Sequence, residues 1–227
     1  ICSRGKLPIL AGGTGLYIRS LLQGTLFSEG GRDESVRREL AEKAEKEGAG
    51  PLWQELKSFD PESAERIHPN NISRIIRAIE IYRVTGKTMT EQNKESHRGS
   101  SPYRACMIGL CFEDRQNLYR RIDERVDQMI RAGLAEEARS ILNEADACVE
   151  TSLQAIGYKE FRPYFEGKIT LEEAAAQIKL ETRHYAKRQM TWFRRDKGVH
   201  WLKVDVIGDF YDIAEQADQI VKKELCL

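Results

Sequence analysis

The sequence predicts an α/β protein whose parallel-sheet core is interrupted by an all-helical insertion. Three observations carry this. Short apolar-rich runs at residues 7–11 (LPILA), 106–111 (CMIGLC) and 199–204 (VHWLKV) read as buried strands. Long helical patterns separate them, which is the alternation of an α/β core. Between the first and second runs no strand-like alternation occurs, only helical spacing.

The elements follow in order. The run at 7–11 ends in Gly12-Gly13, and GGTGLYIRSLLQG continues with Leu16, Leu21 and Leu22 on helical spacing. The unit is strand, glycine turn, helix. Asp33 is placed to cap a helix burying Val36, Leu40 and Ala44 and stopping at Gly48. Pro51 suits the first turn of the next helix, with Trp53 and Leu56. Asp60-Pro61 forms a cap and first helical residue for a third. HPNN opens a fourth, in which Ile72, Ile75, Ile76, Ile79 and Tyr82 form one stripe ending at Gly86. The polar segment 95–104 is a connector. A charged helix with Leu118, Ile122, Val126 and Met129 breaks near Gly133, and another helix follows. Residues 171–195 form the longest helix, and a last helix closes the chain. The expected organisation is 1–30 core, 31–98 helical insertion, 99–227 core.

Composition narrows the function classes. The 227 residues are 41% hydrophobic and 32% charged, which describes a globular protein rather than a disordered one. No apolar run approaches the roughly 20 residues of a membrane span. Lys+Arg and Asp+Glu both number 36, so net charge alone argues for no nucleic-acid partner, and local patches must carry that case. The five cysteines, an odd number without a CxxC pair, fit free thiols in a reducing compartment. His68, His97, His184 and His200 are scattered without metal or triad spacing. The chain opens on Ile1 without an initiator Met and enters a strand-like run almost at once, so it is expected to begin part-way into a longer protein.

Several motifs bear on chemistry. A glycine turn between strand and helix, as in GGTGLY, lets backbone N–H groups approach a phosphate or nucleotide closely; a plain tight turn explains it equally well. It is not a GxGxxG fingerprint, because Ile18 stands where the third glycine would be. Gly86-Lys87-Thr88 is not a Walker A loop, because Ile81 stands at the required glycine and a helix precedes it. Arg74 and Arg77 lie off the isoleucine stripe of their helix and suit a phosphate backbone, although a solvated face would look the same. In the 171–195 helix, Leu171, Ile178, Tyr185 and Trp192 recur every seven residues as a core stripe. Arg183, Lys187 and Arg194 share the opposite face. Residues 179–197 hold seven Lys/Arg against Glu181 and Asp196, a cationic stretch suited to a diphosphate or RNA. SLQAIGYKE combines Gln154, Tyr158 and Lys159, side chains that hold or stack on nucleotides, although a connector with one buried aromatic explains it at least as well.

LPILAGGTGLY, DPESAERIHPNNISRIIRAIEIYRVTGKT, LQAIGYKE and TRHYAKRQMTWFRR, in this order, resemble the bacterial tRNA dimethylallyltransferase family. The resemblance implies a P-loop NTPase-like core, incomplete at its N-terminus, with a helical tRNA-binding insertion. It implies transfer of a dimethylallyl group from dimethylallyl diphosphate to N6 of the adenosine 3′ of the anticodon, in tRNAs reading codons that start with U. It further implies Mg²⁺ as cofactor, the nucleotide-binding and ATP-binding labels of the family, the anticodon stem-loop as partner, no membrane, a monomer and a cytoplasmic location. Carried over by residue, Thr14, Arg37, Ser73, Arg74, Ile75, Ile76, Arg77, Gln154, Ala155, Ile156, Gly157, Tyr158 and Lys159 would contact tRNA. Gly12, Gly13, Arg183, Lys187 and Arg188 would lie near the diphosphate and substrate. The family's Walker A loop and its general-base Asp are expected upstream of Ile1, so no catalytic residue or metal ligand is expected within these 227 residues, and the chain as it stands would be an incomplete catalyst. An adenylate prenyltransferase and a non-catalytic RNA-binding fragment are the alternatives.

Overall fold

The computed structural model describes residues 1–24, 33–96, 101, 103–143 and 154–226. The chain divides into two compact units, Ile1–Leu10 with Leu16–Arg104, and Ala11–Gly15 with Ala105–Leu227.

The first unit is helical: α1 (Gly15–Leu22, its first residue assigned to the second unit), α2 (Glu34–Glu47), α3 (Ala49–Phe59), α4 (Pro61–Arg66), α5 (Ile72–Thr85) and α6 (Met89–Ser96). The local signals act as expected. Asp33 accepts from the Ser35 and Val36 N–H groups at the start of α2, Asn71 caps α5, and Gly86 closes α5 in the left-handed conformation. Leu40, Leu52, Leu56, Ile75 and Ile79 are fully buried together, with Ala64 and Ala78. The isoleucine stripe of α5 buries at Ile75 and Ile79 but not at its ends, since Ile72 is 37% and Tyr82 38% exposed; Tyr82 instead stacks on Phe59 at 4.1 Å.

A polar knot ties α4 to α6. Asp60, almost wholly buried, accepts from Ser63 N at 3.0 Å, Thr90 Oγ1 at 2.6 Å and Thr90 N at 3.1 Å. The sequence marks Asp60 as a cap alone; Thr90 makes it a tertiary contact as well.

The second unit contains β1 (Met107–Cys111), α7 (Arg115–Arg131), α8 (Leu134–Asn143), a single 3₁₀ turn at Lys159–Phe161, α9 (Arg162–Phe165), α10 (Leu171–Phe193), β2 (Val199–Lys203) and α11 (Phe210–Leu225). The two strands are parallel, from Met107 opposite Val199 to Cys111 opposite Lys203. Parallel neighbours need a long crossover, and α7 to α10 supply it. Val126, Leu134, Ala138, Phe161, Ala174 and Ile178 form this unit's core. The capping box of Thr170 with Glu173 starts α10.

One expectation is corrected. Residues 7–11 form no strand, and Leu7, Ile9 and Leu10 are 47%, 85% and 56% exposed. An extended apolar run becomes a strand only by pairing, and among the described residues β1 and β2 pair only with each other. Among the described residues Cys2, Cys106, Cys111 and Cys226 form no disulfide, and no helix is long and apolar enough to cross a membrane. Cys148 and His97 lie outside the described residues.

Asp205, just beyond β2, fastens the start of α7. Its carboxylate accepts from Glu113 N at 2.8 Å, Asp114 N at 3.0 Å and Asn117 Nδ2 at 3.1 Å. The Glu113 N–H is the chief cause holding its pKa down at about 2 against an ordinary 3.8. A depressed folded-state pKa stabilises the fold above the unfolded value, and that contribution disappears as pH falls through the folded one. The second unit should therefore lose stability between about pH 4 and pH 2. In denaturant titrations across that window, Asp205→Asn should start less stable and decline less steeply; parallel curves for the two proteins would remove Asp205 as a source of the slope.

Candidate active site and RNA-binding face

Within the second unit the glycine turn is seated on the last turns of α10. The Gln189 side-chain amide donates to the Gly13 carbonyl at 2.9 Å. A Cβ on Gly13 would stand 2.0 Å from Gln189 Nε2, and one on Gly15 would stand 2.2 Å from the Trp192 ring. Gly15 therefore needs glycine for close approach to the indole, not for an unusual backbone angle, whereas at Gly13 the obstacle is the movable end of the Gln189 side chain. A Cβ on Gly12 would meet nothing within 4 Å. Thr14, between the two tight contacts, is exposed. Helical spacing puts Arg188 four residues before Trp192, on the face that receives the turn; its guanidinium lies 5.8 Å from the Tyr185 ring. Gly13, Thr14 and Arg188 thus belong to one end and one face of α10.

Arg183 and Lys187 lie on a different face of α10. Lys187 is exposed, but Arg183 is two-thirds buried against α7. It makes a short ion pair with Asp123 and rests 4.9 Å from the Tyr119 ring. One helical turn away Lys179 pairs with Asp127 at 2.6 Å, so α7 and α10 run antiparallel with two charged rungs. Arg183 Nε and Asp123 Oδ1 are buried without a hydrogen-bond partner. An open groove of about 520 Å³ passes this pair, lined by Asp114, Asp123, Glu124 and Asp127 against Arg120 and Arg183. Four carboxylates against two guanidiniums make it a poor seat for a diphosphate. Arg183 could serve an anion only by turning from Asp123 toward its other side.

The segment 154–159 is mostly structural where it is described; Ser152 and Leu153, at the start of its motif, lie outside the described residues. Gln154 is exposed. Ala155 is half-buried, and Ile156 and Tyr158 pack on the second core. The Tyr158 hydroxyl donates to Glu137 at 2.6 Å, and this bond pushes its pKa up. Gly157 N donates to the buried Glu160 at 2.8 Å, while Lys159 lies 3.6 Å from the same carboxylate. Of the segment's polar side chains, Gln154 and, at 40% exposure, Lys159 reach the surface.

In the first unit the arginines of α2 and α5 meet at a carboxylate that the sequence motifs do not single out. Glu80 is fully buried. Its Oε1 accepts from Arg37 Nε at 2.8 Å and Asp33 N at 2.9 Å, and its Oε2 from Arg77 Nη1 at 2.7 Å. Burial opposes its ionisation, but the bonds from Arg77, the Asp33 N–H and Arg37 outweigh it and hold the carboxyl below its ordinary pKa. Ser73 and Arg74 are exposed, Ile76 is half-buried and Ile75 is core. Ile75 therefore holds the helix in place rather than offering its side chain. The one available signal for Glu80 was its spacing: four residues after Ile76 and three after Arg77, on the flank of the apolar stripe.

Among the described residues no group of three or more His, Cys, Asp or Glu stands where it could hold a metal ion. Mg²⁺ held largely by substrate phosphates takes only one or two carboxylates from a protein.

Residues 1–196 match the family model described as IPP transferase. The chain belongs to the IPP transferase family. It is 46% identical over 228 residues to the tRNA dimethylallyltransferase of Geobacillus kaustophilus, covering all of this chain and 71% of that protein. With the enzyme of the same name from Geobacillus thermodenitrificans it shares 49% over 201 residues, 88% of this chain and 63% of that one. Among solved structures, it superposes on the full-length tRNA isopentenylpyrophosphate transferase of Bacillus halodurans with a TM-score of 0.62 at 41% identity, covering 99% of this chain and 69% of that one. A eukaryotic dimethylallyltransferase acting on tRNA gives a TM-score of 0.75 at 27% identity, over the whole of this chain and 58% of that one. This member of the IPP transferase family thus spans between 58% and 71% of these relatives.

Proposed function

We propose that this chain carries the chemistry named for its relatives, the transfer of a dimethylallyl group to tRNA. The observation that carries the reading is the GGTG turn, held by Gly13 and Gly15 against the cationic end of α10, with Thr14 exposed between them. The acceptor is N6 of the adenosine 3′ of the anticodon, in tRNAs that read codons starting with U, and the donor is dimethylallyl diphosphate. We assign the second unit to a P-loop NTPase-like core; its parallel strand pair with a helical crossover supports that.

The target adenosine must leave the anticodon stack to be reached. Its N6 attacks C1 of the dimethylallyl group, the C1–O bond breaks, the diphosphate departs with the bonding pair and the N6 proton passes to a general base or to solvent. Negative charge gathers on the departing oxygen, so a cation placed there lowers the barrier. Arg188 shares the face that receives the turn, and Lys187 and Arg183 lie on the adjoining face. Mg²⁺, when bound to the diphosphate, would supply further neutralisation. Thr14 offers a hydroxyl toward the adenosine, and the helical first unit offers Arg74, Arg37 and Arg77 to the backbone of the stem. Such an arm has no use for a free nucleotide, which argues against an adenylate acceptor.

The test is acceptor choice. The full-length protein is given labelled dimethylallyl diphosphate with either an anticodon stem-loop or AMP. Label in the stem-loop is expected; label in AMP alone would overturn the reading, and binding of the stem-loop without any transfer would make the protein an RNA-binding module. Arg74→Ala should weaken stem-loop binding about equally for all sequences and reduce the slope of log K against log salt by about one. An unchanged slope would return Arg74 to an ordinary solvated residue.

A further inference from the structure

We propose that Glu80 is a positioning residue for tRNA, and that its buried carboxylate locks Arg37 and Arg77 into one two-guanidinium clamp for a backbone phosphate. The proposal deepens the reading of the first unit as a tRNA-binding face and rests on it.

Three features separate this cluster from an ordinary surface ion pair. The carboxylate is fully buried, whereas the guanidiniums it holds are 32% and 39% exposed. Each carboxylate oxygen takes a different arginine, one from α2 and one from α5, so two helices are registered by one side chain. The main-chain N–H of Asp33 fills a further acceptor position, which leaves Glu80 little freedom to swing. Arg37 engages Glu80 through Nε and Arg77 through one Nη, so each retains most of its five donors for the solvent side. Two guanidiniums on one buried carboxylate leave a positive surplus that the exposed Glu34 only partly offsets. Glu34 lies alongside at 4.0 Å but is 59% exposed, while the Asp33 carboxylate is turned to its own helix cap. A long flexible side chain loses rotamer freedom when it grips a phosphate; the buried carboxylate makes that loss before RNA arrives. Arg74, one turn earlier on α5 and exposed, continues the cationic track.

Glu80→Gln separates positioning from charge by the sign of its effect. Removing a negative charge from an RNA-binding face should by itself tighten RNA binding. If Glu80 positions the arginines, its removal should instead raise the Kd for the anticodon stem-loop by about fivefold to tenfold, read in the KM for tRNA rather than in kcat. The loss should vanish in an Arg37→Ala/Arg77→Ala background, because nothing then remains to be positioned. Equal or tighter binding by E80Q, or the same loss in the arginine-free background, overturns the proposal. Wild-type affinity in the arginine double variant overturns the phosphate-contact reading of this face itself, a separate result. Should E80Q fail to fold, Arg37→Lys and Arg77→Lys carry the test, since lysine keeps the charge but cannot bridge carboxylate and phosphate with a planar fork. Weaker stem-loop binding at an unchanged salt slope is expected, and wild-type affinity in both lysine variants overturns the clamp.

Discussion

Arg183→Ala is expected to lower the turnover of dimethylallyl transfer by about 100-fold to 1,000-fold, with little change in tRNA affinity. That is the cost of removing one group that stabilises developing oxyanion charge, roughly 3–4 kcal/mol. The structure supplies a competing account. Arg183 is paired with Asp123 and packed on Tyr119, and on that account it only braces α10 against α7. Magnitude decides between them. Both members of the pair are about a third exposed, and such pairs contribute at most about 1 kcal/mol. A brace would therefore cost a few-fold in activity and a small shift in melting temperature. A 100-fold loss in Arg183→Ala that Asp123→Ala, which breaks the same pair, does not reproduce marks the chemical step. Turnover within fivefold of wild type would leave Arg183 as a brace and move the diphosphate role to Arg188 and Lys187.

The Gly15→Ala variant should be nearly as damaging, for a steric reason. Its Cβ would fall 2.2 Å from the Trp192 ring, far inside contact distance. Either the indole or the turn must move, and overpacking of this kind costs about 1–3 kcal/mol. Movement of the turn carries Thr14 with it, and a displacement of about 1 Å at a reacting group can cost about 100-fold in rate. The compensating change is a smaller side chain at position 192. Gly15→Ala with Trp192→Leu should recover much of the turnover lost by Gly15→Ala alone. Full activity in Gly15→Ala would show that the close approach does not matter to the reaction.

Some of this molecule is readable from the sequence alone, because local chemistry dictates it. Asp33, Pro61, Asn71 and Gly86 mark helix ends through hydrogen bonds and backbone angles confined to a few residues. The repeat of Ile75 and Ile79 located the buried face of α5, and the runs at 106–111 and 199–204 located the two strands, each to within one residue. The ordered motifs identified the family. What failed at this level failed because burial and pairing are tertiary: Ile72, Tyr82 and Tyr185 lie on the expected apolar stripes yet are 37%, 38% and 38% exposed. The run at 7–11 has a strand's composition, but a strand exists only in its partners.

The candidate site divides along the same line. Sequence alone determined that a glycine turn, an arginine-bearing helix and a cationic helix are present, since each is a local pattern. Only the tertiary structure decided that Gly13 is held by Gln189 and that Gly15 is required by Trp192, residues more than 170 positions away. It also decided that Arg183 faces Asp123, that the turn sits on the Trp192 face that Arg188 shares, and that Arg37 and Arg77 are one unit through Glu80. The physical reason is that a guanidinium's role depends on which anion lies within about 3 Å of it, a distance that spacing along one helix cannot supply.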